Sequence, residues 1–161
     1  MKQERAMETN IFDPQFWMAV GTAALCGAVI GVERQFRGKP AGIRTSMMIC
    51  LGTTVFVRLG GLASLGGGDP TRVMSQVITG VGFIGAGVML AREGLVLGVT
   101  SAAVIWMLAA IGCAVGLERY TAAIALAVVT VILLTGVELL EGAIRSLRSK
   151  GSEGGDKADE R

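Results

Sequence analysis

The sequence predicts an all-α polytopic membrane protein: about five transmembrane helices in a Gly-rich bundle, with the N-terminus outside and the C-terminus cytoplasmic. Three observations carry that reading. First, 52% of the 161 residues are hydrophobic and only 17% are charged, whereas a soluble domain carries about a quarter of its residues charged. A chain this short would need an implausibly large core to hide so much apolar surface from water. Second, the apolar residues are gathered into runs close to the roughly 20 residues that cross a hydrocarbon core. Third, there are 24 Gly against 3 Pro, with no collagen period, which fits helices packed closely in a membrane.

The elements follow in order. Residues 1–13 form a short polar tail of mixed charge, and Asp13-Pro14 supplies a helix start, an acid to cap free N–H groups and a Pro for the first turn. The first span, 14–32, has no charged residue. A signal-peptide reading of it is disfavoured, because the run is long and leads directly into a basic loop. The second span covers 43–62, with Arg58 near its far end, where a long side chain can snorkel to the headgroups. A Gly-Pro turn cluster at 64–71 leads to the third span, 73–91, which ends at Arg92-Glu93. The fourth and fifth spans, 99–117 and 120–140, are separated only by Glu118-Arg119 and form an antiparallel hairpin. The helical domain thus occupies 14–145, and 146–161 reads as a flexible charged tail.

Orientation comes from the basic residues. With five spans and an external N-terminus, Arg34, Arg37, Lys39, Arg44, Arg92, Arg145, Arg148, Lys150, Lys157 and Arg161 fall inside. Lys2, Arg5, Arg58, Arg72 and Arg119 fall outside. Ten against five satisfies the positive-inside bias. If one span had to be dropped, the first is the weakest.

Two polar clusters stand out against this background. On the cytoplasmic side, Glu33, Arg34, Arg37, Lys39, Arg44 and Thr45 crowd the connector between the first two spans. Glu33 facing Arg34 and Arg44 across the hairpin would make a salt-bridged clasp. The alternative is a site for an ion or an anionic group, with Arg37 and Lys39 turned to lipid phosphates. On the external side, Asp69, Arg72 and Gln76 open the third span; Asp69 either caps that helix or helps accept a cation from outside. Thr53, Thr54, Thr79, Thr100 and Ser101 are candidates for a polar seam, although such residues in membrane helices commonly bond to their own backbone.

The remaining motifs have structural readings. Gly80–Gly87 contains G-x-G-x-x-G, but it lies mid-span with no acid at the distance a dinucleotide site needs. Close backbone approach explains Gly80, Gly82, Gly85 and Gly87 better, and Gly27/Gly31 and Gly112/Gly116 form two small-xxx-small pairs, within the bundle or across a homodimer. Trp17 fits the external aromatic belt, and Trp106 falls inside a span, where packing in the core or a polar partner is expected. Cys26, Cys50 and Cys113 read as small buried hydrophobes. There is no His, which excludes His-based zinc sites and Ser-His triads. No nucleophile–base pair suggests an enzyme, so no catalytic or cofactor-binding residue is assigned. The net charge of +2, without a basic stripe, is too small to argue for nucleic acid, and none is expected as a partner.

Four blocks carry a resemblance to a known family: GVERQFRGKPAGIRT at 31–45, DPTRVMSQV at 69–77, GVGFIGAGVML at 80–90 and GVTSAAVIWMLAAIGCAVG at 98–116. In order and spacing the chain resembles the MgtC/SapB family of small bacterial inner-membrane proteins. Glu33, Arg34, Gly38, Lys39, Gly42, Arg44 and Thr45 align with its basic signature, and Asp69, Arg72 and Gln76 with its polar entrance to the third helix.

The resemblance implies a multi-pass protein of the bacterial inner membrane. It further implies a non-enzymatic regulator linked to magnesium limitation, acid or stress adaptation and, in some members, virulence. Such a regulator acts through contacts within the membrane. A divalent-cation or other ion transporter or channel is the alternative. Implied partners are membrane lipids, a second copy in a homodimer or higher oligomer, and a membrane protein such as the proton-translocating ATP synthase. Mg2+ is the one cofactor the resemblance brings into view, without assigned ligands. Two departures stand beside this. Val99-Thr100-Ser101-Ala102-Ala103-Val104 occupies the place where many members read LTTAAS. The soluble domain that follows the bundle in longer members is not expected here.

Overall fold

The computed structural model of the chain describes residues 13–64, 69–92 and 95–156. The polar N-terminal tail up to residue 12, the middle of the Gly-rich connector and the last five residues lie outside the described set. Five helices follow one another in the predicted order: α1 (Pro14–Phe36), α2 (Ile43–Ser64), α3 (Pro70–Gly87), α4 (Val99–Gly116) and α5 (Tyr120–Asp156). The protein is an all-α membrane protein. Three of its helices, α1, α4 and Tyr120–Val137 of α5, are long and apolar enough to cross a membrane. The first span, weakest in the sequence reading, is among them. By contrast, α2 and α3 dilute their apolar residues with Arg44, Arg58, Arg72 and several Ser, Thr and Gly.

Local chemistry sets the helix ends. The Asp13 side chain accepts a hydrogen bond from the Gln15 N–H at 3.0 Å, with Pro14 next to it in the first helical position. At the other end of α1, the Gly38 N–H donates to the Gln35 carbonyl and the Lys39 N–H to the Arg34 carbonyl, with Gly38 at φ +61°. That pair of bonds is a Schellman motif, which satisfies carbonyls the last turn leaves free. The end of α4 repeats it with Glu118 at φ +63°, donating to Val115, and Arg119 donating to Ala114. A residue with a Cβ is uncommon in that left-handed conformation.

One boundary differs from the sequence reading. The third span was drawn to Ala91, but α3 stops at Gly87, and a short antiparallel hairpin follows. Its strands are β1 (Leu90–Arg92) and β2 (Leu95–Leu97), with Leu90 opposite Leu97 and Arg92 opposite Leu95. The Val88 N–H closes back on the Ala86 and Gly85 carbonyls, ending the helix. Gly98, at φ +86°, then turns the chain into α4 so close to the Val88 carbonyl that a Cβ there would collide with it. Helix α5 runs from Tyr120 to Asp156.

Two compact units are distinguished, divided within α5 at Thr130–Val131. In the first, α2 is the hub: it packs against α1, α3 and α4, while α4 also touches α3 and α1. Buried Ala19, Ala23, Cys26 and Ile30 recur along α1 at helical spacing. Val81, Ile105 and Ala109 form a cluster between α3 and α4, ringed by Ala41, Ile49, Val77 and Val88.

Glycine brings the hub helices together. A Cβ on Gly27 would stand 2.7 Å from Met47 Cα, and one on Gly31 2.6 Å from Ile43 Cα. On α4, a Cβ on Gly112 would stand 2.6 Å from the Cys50 carbonyl oxygen, and one on Gly116 2.7 Å from Val57 Cβ. Both small-xxx-small pairs therefore act inside the chain, against α2. The seam is also hydrogen-bonded: Thr54 Oγ1 donates to the carbonyls of Cys50 (2.8 Å) and Gly112 (3.0 Å), and Cys50 Sγ lies 3.2 Å from the Leu108 carbonyl. All three cysteines are buried and free.

The glycines of α3 behave differently. Gly85 is in ordinary contact with Ala102, but Gly80, Gly82 and Gly87 meet nothing within 4 Å of a would-be Cβ. Within the chain, the last three are not packing residues. Beside them, an open groove of about 610 Å³ runs between α2 and α3. Its walls include Met48, Phe56, Val77, Gly80 and Ile84, and Thr45, Thr53 and Gln76 are its polar members.

Candidate functional site

The residues of the basic signature sit where α1 ends, α2 begins and α4 starts. The buried stripe Ala19–Ala23–Cys26–Ile30 reaches Arg34 one turn further on, so Arg34 continues the inward face of α1 and is 2% exposed. Its Nη2 donates to Ser101 Oγ at 2.5 Å, across 67 residues of chain, tying α1 to the first turn of α4. Glu33 is buried too. Its Oε1 lies 2.5 Å from Arg37 Nε, one turn along the same helix. The contact is an ion pair, and Glu33 Oε1 has no hydrogen-bond partner among the described residues. Glu33 Oε2 and Arg34 Nε have no hydrogen-bond partner among the described residues.

This corrects the expected clasp. Glu33 pairs with Arg37, not with Arg44 across the hairpin. Arg44, Lys39 and Thr45 are exposed, and Thr45 lines the mouth of the α2–α3 groove. The physical reason is spacing. Glu33 and Arg37 are stacked on one helix face, whereas Arg44 lies in the first turn of α2, which Gly31 brings close through backbone contact rather than through charges.

The second cluster lies at the other end of α2. Asp69 caps α3, accepting from Thr71 Oγ1 at 2.7 Å and from the Thr71 N–H at 2.9 Å. Those two bonds hold its carboxyl below the usual carboxylate range. Arg72 and Gln76 are exposed, and Gln76 contributes to the groove. The structure therefore separates the two acidic positions, Glu33 and Asp69, by the length of α2. Among the described residues, no three Cys, Asp or Glu come together in a set able to hold a metal ion.

Two side chains depart from expectation. Arg58 does not snorkel outward; it is buried, with Nη1 3.6 Å from Glu118 Oε1 in the turn after α4. The left-handed turn at Glu118 places that acid beside α2. Trp106 lies on the outer face of α4 and is 54% exposed, not in the core. Of the seam residues, Thr54 and Ser101 do bond between helices, whereas Thr79 donates only to the Ser75 carbonyl of its own helix. Trp17 is exposed, edge-to-face with Phe16.

The Arg34–Ser101 and Arg58–Glu118 contacts were missed in the sequence. The first had a usable signal, because Arg34 extends an apolar stripe at the i+4 step. The second had none, since it depends on one non-Gly residue adopting positive φ.

With this geometry in hand, comparison with known proteins is informative. The MgtC family model matches residues 20–143. The chain is 45% identical over 119 residues to "Putative magnesium transporter YhiD" of Escherichia coli strain K12, covering 70% of this chain and 55% of that protein. It is 39% identical over 127 residues to Protein MgtC of Brucella abortus strain 2308, covering 78% and 51%. Against Protein MgtC of Salmonella typhimurium strain 14028s it is 38% identical over 138 residues, covering 84% and 57%. The chain thus spans about half the length of the curated relatives it matches. No solved structure matches.

Proposed function

The chain belongs to the MgtC family, and from that premise we propose that it is a non-enzymatic regulator in the bacterial inner membrane. It crosses the membrane several times and acts through helix contacts within the bilayer, in adaptation to magnesium limitation, acid or stress. The observation that carries this reading is the outer face of α3. Gly80, Gly82 and Gly87 stand open beside exposed Ile78, Phe83 and Ile84, at the edge of the groove against α2. Small residues that meet nothing inside their own chain let another helix come close, whether from a second copy or from a different membrane protein such as the proton-translocating ATP synthase.

The alternative is transport of Mg2+ or another ion, which the printed name of the Escherichia coli relative favours. The polar groups of this chain weigh against it. A divalent cation wants several oxygens together, yet the buried carboxylate of Glu33 is held by Arg37 beside Arg34, and Asp69 is occupied as a cap.

Gly82→Leu separates the readings, because a Cβ at Gly82 meets nothing within 4 Å among the described residues. The regulator reading expects a folded variant that no longer co-purifies with its membrane partner or second copy, and proteoliposomes of the native chain with no Mg2+ flux above empty vesicles. Flux by the native chain, with association unchanged in Gly82→Leu, would favour the transporter.

A further inference from the structure

Two positive features that proteins usually keep apart meet at the first turn of α4. One is the helix N-terminus itself. Gly98 is its N-cap, and no side chain makes a capping bond there. The first backbone bond of the helix runs from the Ala102 N–H to the Gly98 carbonyl, 2.9 Å. The N–H groups of Val99, Thr100 and Ser101 precede it and carry the positive end of the helix dipole. The other two helices with described N-caps, α1 and α3, answer this charge with Asp13 and Asp69 and place Pro in the first turn. At α4 neither device is present.

The second feature is Arg34. Its guanidinium rests on this same turn through Ser101 Oγ, it is 2% exposed, and its Nε has no hydrogen-bond partner among the described residues. A cation beside a helix N-terminus is repelled by the dipole, and an unused donor in a buried site costs free energy. The Glu33 carboxylate beside it in sequence is engaged by Arg37. The arrangement calls for an anion.

We propose that the first turn of α4, backed by Arg34, is a binding site for a phosphate group, from an anionic phospholipid or from inorganic phosphate. A tetrahedral oxyanion can accept from several N–H groups of a helix N-terminus at once, and a guanidinium strengthens the site by charge-assisted hydrogen bonding. Val99 and Thr100 are exposed, which puts this turn at the surface, while Arg34 is buried. The 18 residues of α4, at a rise of about 1.5 Å each, nearly span a hydrocarbon core of roughly 30 Å. Its first turn therefore lies at the depth of lipid phosphates.

The test uses the full chain in a neutral detergent, titrated separately with sodium phosphate and with dioleoylphosphatidylglycerol, and reads the thermal unfolding midpoint. A saturable rise is expected. Arg34→Gln should weaken the apparent affinity about tenfold or more, the loss of a charge-assisted bond. Arg44→Gln, which removes an exposed Arg at the same end, should change it less than about twofold. Because Arg34→Gln also alters the tie between α1 and α4, Thr100→Asp supplies an independent reading. A carboxylate placed on the first turn should raise the midpoint without ligand and abolish the response to it. A response to phosphatidylglycerol alone identifies the lipid as the source, and a response to both probes shows that free phosphate suffices. The proposal is overturned by no saturable response to either probe, by equal losses in the two Arg variants, or by an undiminished response in Thr100→Asp.

Discussion

Glycine has opposite meanings in two regions of this protein. On α1 and α4, Gly27, Gly31, Gly112 and Gly116 lie against the backbone and side chains of α2, with no room for a methyl group. On α3, Gly80, Gly82 and Gly87 have open space where a side chain would be. All seven sit in similar apolar helical sequence. The difference teaches that a small-residue spacing marks a surface suited to close approach, and that only the neighbour decides whether the approach is internal. In the first region, α2 already fills the place. In the second, the chain leaves it unfilled, and for that reason the proposed regulatory contacts fall on α3.

The most forceful way to break this comparison is one substitution made in both regions. Gly112→Ala should destabilise by on the order of 3 kcal/mol, since a Cβ would press on the Cys50 carbonyl and Thr53 and α2 cannot yield cheaply. Gly82→Ala should instead stabilise by up to about 1 kcal/mol, through helix propensity alone. Unfolding titrations in mixed detergent measure both. Effects of the same sign and size would mean that the two faces do not differ as described.

A second comparison, between two Arg partners for Glu33, is smaller. A double-mutant cycle over Glu33→Gln and Arg37→Gln should give a coupling of about 1 kcal/mol, that of a partly exposed pair in contact. The same cycle with Arg44→Gln should give a coupling near zero. A larger coupling to Arg44 would restore the interhelical clasp that the fold argues against.

The smallest effect belongs to the caps. Thr71 holds the Asp69 carboxyl below its usual value, so the folded state binds this proton less readily than the unfolded one. Its contribution is complete above the unfolded carboxyl value, about 3.9, and is lost as pH falls through the lower folded value. Asp69→Asn should flatten this part of the acid limb in a stability–pH profile. An identical limb in both proteins would show that the cap is not formed in solution.

Much of the architecture was legible in the residues. Asp13-Pro14 and Asp69-Pro70 mark two helix starts because capping is local chemistry, and the apolar runs gave five helices in order because each needs only its own length. The hairpin after α3 was not legible. Arg92-Glu93 marks the end of an apolar run but not a pair of strands, and the entry into α4 depends on how Gly98 fits against Val88. In the candidate site the Asp69 cap was legible, and the partner of Glu33 was not. Glu33–Arg37 follows from helix geometry once the helix is known to run through Phe36. Arg34–Ser101 and Arg58–Glu118 join segments far apart in the chain.

The sequence by itself determined a Gly-rich helical membrane protein, the position of its charges and its family, since hydrophobic runs, caps and motif spacing act over a few residues at a time. Only the tertiary structure decided which glycines are sealed and which are open. It also decided that Glu33 turns to its own helix, and that a buried guanidinium stands at the N-terminus of α4. Those outcomes rest on distances between segments, which packing around α2 sets and no local pattern encodes.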